Sequence, residues 1–214
     1  MRPQYSIITQ PASEPITLAQ ASAHLRVDSA DDNTYITDLI PVAREYVESV
    51  TGRVSNPTTF RLIASDWRDL FAPAVNREIY HLDARYGLLG QSLAGVIPLF
   101  RTPLVSVASI QYYAPGEATL TTMSTEDYRV ILTAEPGLVH IFGDLPALEN
   151  RPDAIQIQFV AGVTASTSAT LKHAVKMLVS HLYENRMPVA FSSCNDIPFT
   201  LRNLIENQKI GGYF

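Results

Sequence analysis

Two stripes of apolar side chains, one near each end of the chain, limit what it can fold into more than any other feature. In the first, Ile36, Leu39, Ile40, Ala43, Tyr46, Val47 and Val50 recur at steps of three and four, which on an α-helix sets them along one side. In the second, Leu171, Ala174, Val175, Leu178, Val179, Leu182 and Tyr183 do the same. An amphipathic helix persists only when something covers its apolar side, and neither flank has enough such helices to cover its own. The two ends are therefore expected to pack together, with the segment between them inserted.

The flanks carry further helix signals. Pro3, Pro11 and Pro15 make the first stretch extended and irregular. Thr17 is an N-cap candidate for a short helix bearing Leu18, Ala21 and Leu25 on one side. Asp28, Asp31 and Asp32 follow, but Ala30 occupies a ligand position and no glycine stands at the sixth, so a calcium loop is excluded. These acids read instead as the cap of the second helix, which runs from about Asp32 to Thr51 with Gly52 closing it. Pro41 falls on its polar side and predicts a kink rather than a break. Glu45 and Glu48 lie away from the stripe and read as solvated, so they make a poor catalytic pair.

Between the flanks, residues 56–163 change texture. TTFRLIA alternates Phe60, Leu62 and Ala64 with Arg61 and Ile63, a strand pattern. REIYHL, PLVSVASIQYY, DYRVIL, GLVHIF and AIQIQFV are further strands, punctuated by Pro, Gly, Asn and Asp. A switch of apolar parity between Val107 and Ile110 predicts a bulge. Asp83–Pro98 fits neither period and reads as a long loop. The fold class is therefore α+β: a helical bundle built from residues 1–55 plus 164–214, with an antiparallel sandwich or small barrel inserted at 56–163.

Little here points to catalysis. The chain has five histidines and one cysteine, Cys194, so neither an intrachain disulfide nor a cysteine-based zinc site can form. His173 and His181 share a helix without the H-E-x-x-H pattern, and the His181/Glu184 pair lacks the further inward carboxylates of a bundle metal site. His140 reads as an ordinary sheet residue. GLLGQSLAG at 87–95 has glycines but no lysine, so it is no phosphate loop. No catalytic, cofactor or metal residue is assigned. The net charge of −5 gives no basic excess for tight DNA binding, although residues 164–214 are positive by two (five basic less three acidic). No run is long and apolar enough for a signal peptide or a membrane span.

The segments ITLAQASAHLRVDSADDNTYITDLIPVAREYVESVTGR, RTPLVSVASIQYY, EDYRV and LKHAVKMLVSHLYENR, in that order, resemble the head–tail connector (adaptor) proteins of long-tailed bacteriophages and phage-like gene transfer agents. The likeness covers nearly the whole chain and rests on order and spacing rather than on catalytic motifs. It implies a ring of identical subunits, twelve in number, docked beneath the portal protein at the capsid vertex. Such a ring would meet a stopper or tail-completion protein on its other side. It would pass double-stranded DNA without reading its sequence, with no membrane and no cofactor involved. The protein would be made in the bacterial host cytoplasm and end in the virion. Pro41 and the 83–98 loop depart from the family pattern.

The terminal segment carries Phe199, Leu201, Leu204, Ile205, Ile210, Tyr213 and Phe214, much apolar area for a chain end. Two outcomes stand open: it folds onto its own helices, or part of it docks into the portal or a neighbouring subunit. Two other functions compete with the connector. One is a small-molecule or glycan-binding module, expected to display Tyr80, Tyr86, Tyr112 and Tyr113 together. The other is a hydrolase built on His140 and an acid.

Overall fold

A computed structural model describes residues 3–71, 95–142, 144–163, 167–186 and 199–210. The chain divides into two compact units, Met1–Gln10 with Pro57–Gly162, and Pro11–Asn56 with Val163–Phe214. The fold is α+β, with every strand pairing antiparallel.

Among the described residues, the first unit has two sheets. Strands β1 (Gln4–Thr9), β2 (Thr58–Ala64), β8 (Ile155–Ala161), β4 (Leu104–Tyr113) and β5 (Leu120–Thr122) form one sheet in that spatial order. Strands β3 (Val96–Leu99), β7 (Gly137–Ile141) and β6 (Tyr128–Ile131) form the other. Strict alternation in β2 and β8 buries Phe60, Leu62, Ile155, Ile157 and Phe159 on one face, as a half-covered sheet requires. Phe60 stacks on Phe159 with ring centroids 5.7 Å apart, and Tyr5 meets Phe159 edge-on at 6.2 Å. The β4–β8 register slips between Val107 and Ser109, inside the interval where the parity of the apolar residues changes. A Cβ on Gly137 would lie 2.5 Å from the Leu104 Cβ, so β7 approaches β4 as only a glycine allows. A helical turn, α3 (Trp67–Leu70), is held by the Trp67 indole, which donates to the Pro146 carbonyl at 2.9 Å.

Several elements differ from the sequence reading. Residues 4–9 are an edge strand rather than irregular, because Pro3 and Pro11 flank the strand and leave every N–H between them able to donate. The end of the expected 83–98 loop is a buried strand: Val96 and Ile97 favour the pleated conformation, and Pro98 is tolerated on a sheet edge. The rest of that loop, the REIYHL segment, Tyr80, Tyr86 and Cys194 lie outside the described residues.

The second unit holds α1 (Leu18–Leu25), α2 (Asn33–Thr51), α4 (Ala169–Glu184) and α5 (Phe199–Glu206). Thr17 caps α1 in a reciprocal capping box with Gln20. Gly52 ends α2 at φ +74°, a conformation glycine adopts without strain. Helix α2 runs unbroken through Pro41. The carbonyl four residues back belongs to Thr37, which is exposed and open to water. Both stripes enter one core: Ile36, Ile40, Ala43 and Val47 with Leu171, Ala174, Val175, Leu178 and Val179, joined by Ala21, Leu201 and Ile205.

Candidate docking surfaces

Acids and bases in the second unit are used mainly to tie segments together. Arg44 is 2% exposed. Its guanidinium donates to Glu14 Oε2 at 2.8 Å, to Glu48 Oε2 at 3.1 Å and to Glu45 Oε1 at 3.3 Å. Glu48 Oε1 accepts from the Ser55 backbone N–H at 2.8 Å. The expectation that both glutamates are solvated holds for Glu45 and fails for Glu48. The segment bearing Glu14 and the turn at Ser55 cover that side of α2, so Glu48 is buried with a cation and a backbone donor to satisfy it. Burial raises the Glu48 carboxyl above its ordinary range, while Ser55 and Arg44 oppose that shift. Nearby, Thr167 donates to the Ser55 carbonyl at 2.8 Å, joining the chain's return into this unit to the end of α2.

A second cluster sits where α2 begins and α4 ends. The Tyr183 hydroxyl donates to Asp32, and Arg186 Nη2 pairs with Asp32 Oδ2 at 3.1 Å. The guanidinium lies 4.5 Å from the Tyr35 ring centre and 4.6 Å from that of Tyr183. Asp32 stands at the N-cap, but its carboxylate does not cap the helix. A phenol and a guanidinium are stronger partners than a backbone N–H. They hold the Asp32 carboxyl below its usual value, the Tyr183 hydrogen bond most of all and Arg186 next.

The chain's end is largely internal in the described residues. Leu201 and Ile205 are buried in the helical core, so these two serve the unit's own packing rather than docking elsewhere. Their spacing of four puts them on one face of α5. Leu204 and Ile210 are half-buried. The Ile210 N–H donates to the Thr51 carbonyl at 3.1 Å, and Arg53 Nε donates to the Gln208 carbonyl at 2.8 Å. These bonds moor the chain beside the end of α2 just before Gly211. Phe199 begins α5; Tyr213 and Phe214 lie outside the described residues.

Exposed apolar side chains mark other surfaces. On α2 these are Val42 and Tyr46; in the first unit they are Ile7 and Ile8 on edge strand β1, with Phe100, Leu132, Phe142 and Leu145. His140 meets Phe142 at 4.7 Å between ring centres, an aromatic contact rather than an acid–base pair. Tyr112 tilts against Trp67 and Tyr113 lies under Arg151. As consecutive strand residues they point to opposite faces, so they do not form one aromatic platform. No group of three or more His, Cys, Asp or Glu among the described residues is arranged to hold a metal, and no described helix is long and apolar enough to cross a membrane.

No protein-family model matches the chain, and no curated protein matches it in sequence. Solved structures do match its fold. A chain in the neck of an empty gene transfer agent particle, computed with C6 symmetry, superposes with TM-score 0.69 at 19% identity, covering 96% of this chain and 95% of that one. A chain of the virion of a native gene transfer agent particle gives TM-score 0.68 at 19% identity, with coverages of 96% and 95%. A chain of the native particle's neck, computed with C12 symmetry, gives 0.64 at 18%, with 96% and 94% covered. The likeness spans both units.

Proposed function

We propose that this chain is a structural, non-enzymatic head–tail connector of a phage-like particle. The observation that carries the reading is the match in fold to neck components over nearly the full length of both chains. In this reading the helical unit is the bundle of an adaptor, and the sheet unit is its second domain, which takes in Met1–Gln10 as well as Pro57–Gly162 rather than the 56–163 insert alone. Copies assemble as a ring of twelve under the portal protein, join the head to a stopper or tail-completion protein, and line the DNA conduit. The final residues, with Tyr213 and Phe214 at the tip, reach the portal or a neighbouring copy from the mooring at Ile210.

Physical chemistry supports this assignment. A net charge of −5 suits a wall past which DNA must slide, since a surface that does not neutralise phosphates avoids tight, salt-dependent binding. Identical subunits closing a ring need two different complementary surfaces each. The protein is made in the host cytoplasm and ends in the virion, at the junction of head and tail.

Immunogold electron microscopy of particles from the host that encodes this chain tests the reading. Label at the head–tail junction is the expected result. Label on the capsid faces or the tail tip, or no label on particles, rejects it.

A further inference from the structure

We propose that the outer face of α2 on one copy docks against the outer face of α1 and α4 on the next, an acidic–apolar surface meeting a basic one head to tail. The proposal deepens the connector reading and rests on it for the presence of many copies.

Both surfaces belong to the helical unit and face away from each other. At about 100° per residue, Asp38, Val42, Glu45 and Ser49 fall on the side of α2 opposite Ile36, Ile40, Ala43 and Val47, which enter the core against α4. Val42 is 53% exposed and Tyr46 39%. This face therefore offers Val42, with Tyr46 at its edge, beside the carboxylates of Asp38 and of Glu45, the latter bonded to Arg44 at 3.3 Å. The same geometry sets His173, Lys176 and Ser180 opposite the buried Leu171, Val175 and Leu178 of α4. His24 of α1 joins them, its ring 6.0 Å from that of His173. Desolvation first, then the charges of His173 and Lys176, hold His24 below the ordinary imidazole range. Lys172 lies one turn before Lys176.

Because α2 and α4 pack through their apolar sides, their polar sides look outward in opposite directions. Among the described residues, Asp38, Lys172 and Lys176 form no ion pair within the chain. Asp38 on one surface and Lys172 and Lys176 on the other are thus charges that their own subunit leaves uncompensated, and their signs complement each other. Glu45 is already held by Arg44, and Glu184 falls on the same side of α4 as His173. Unlike patches on opposite sides of one unit generate a repeating contact, which closes into a ring when the rotation allows. Opposite potentials also fix register and disfavour like-to-like pairing.

Disulfide trapping tests this with the full chain. In a Cys194→Ser background, Val42→Cys and His173→Cys variants are prepared separately, mixed at high concentration and oxidised with copper-phenanthroline. The expected product is the mixed dimer in excess over either homodimer. Adding Asp38→Lys and Glu45→Lys to the Val42→Cys chain should lower its yield about fivefold to tenfold. Adding Lys172→Glu and Lys176→Glu to the other chain as well should restore it. Homodimers alone, no cross-link, or a yield insensitive to the charge reversals overturns the pairing. If immunogold labels the neck while no mixed dimer forms, the pairing falls and the connector reading stands. If the mixed dimer forms while the neck carries no label, the pairing stands and the connector reading falls.

Discussion

Arg44 and Glu48, one helical turn apart on α2, form an ion pair at 3.1 Å in which the arginine side chain is 3% exposed and the glutamate 9%. Such a pair contributes little over an apolar replacement, yet breaking it leaves an uncompensated buried charge. Arg44→Ala should therefore cost about 3–5 kcal/mol, read as a lower midpoint in denaturant. Substituting Arg44 by Met together with Glu48 by Leu should recover much of that loss. A double variant as unstable as the single one would show that the ion pair itself, rather than the stranded charge, sets the cost.

Asp32 should make the junction of α2 and α4 acid-sensitive. The folded state lowers its pKa, through Tyr183 first and Arg186 second, so it binds the proton less tightly folded than unfolded. The stabilisation is complete above the ordinary carboxylate value and disappears as pH falls through the lower folded value. Carboxyl NMR titration should place Asp32 below a typical aspartate, and Arg186→Gln should move it back upward. An ordinary Asp32 titration would contradict the cluster.

Gly137 should not tolerate a side chain. A methyl there would meet Leu104 at 2.5 Å, so Gly137→Ala is expected to destabilise by about 1–3 kcal/mol through overpacking. Adding Leu104→Ala should make the alanine at 137 easier to accept. A double-mutant cycle measures that coupling, and strict additivity would mean that the contact is not the cause.

The chain end should separate into packing and docking parts. Leu201→Ala opens a space in the helical core and should cost about 2–5 kcal/mol. Deleting Gly211–Phe214 keeps the Ile210–Thr51 and Arg53–Gln208 bonds, and joining of heads to tails should be lost. Particles that still join with the shortened chain would rule out docking through this tip.

The helices and the central strands were legible because each repeats a simple period. Val47 at a helix step from Ala43, or Leu62 two on from Phe60, announces which side is buried. The polar links were not legible, because their partners are remote in sequence: Glu14 with Arg44, Asp32 with Arg186, Thr167 with Ser55. A signal for Glu48 existed nonetheless, in an arginine four residues earlier beside the apolar stripe. Strand β1 was hidden by its prolines, which lie at its borders rather than within it. The motif order pointed toward phage-like particles, and the fold matches chains of gene transfer agent necks and virions. The residues behind that resemblance include Asp32, Tyr35, Tyr183 and Arg186, which the structure brings together.

The most direct test of the connector account is electron microscopy of the purified protein mixed with the portal protein encoded in the same host element. The expected result is a ring of this chain on one face of the portal, with twelve subunits around a central channel. Portal particles that remain bare at saturating protein, or that bind it in scattered copies without a ring, would contradict it.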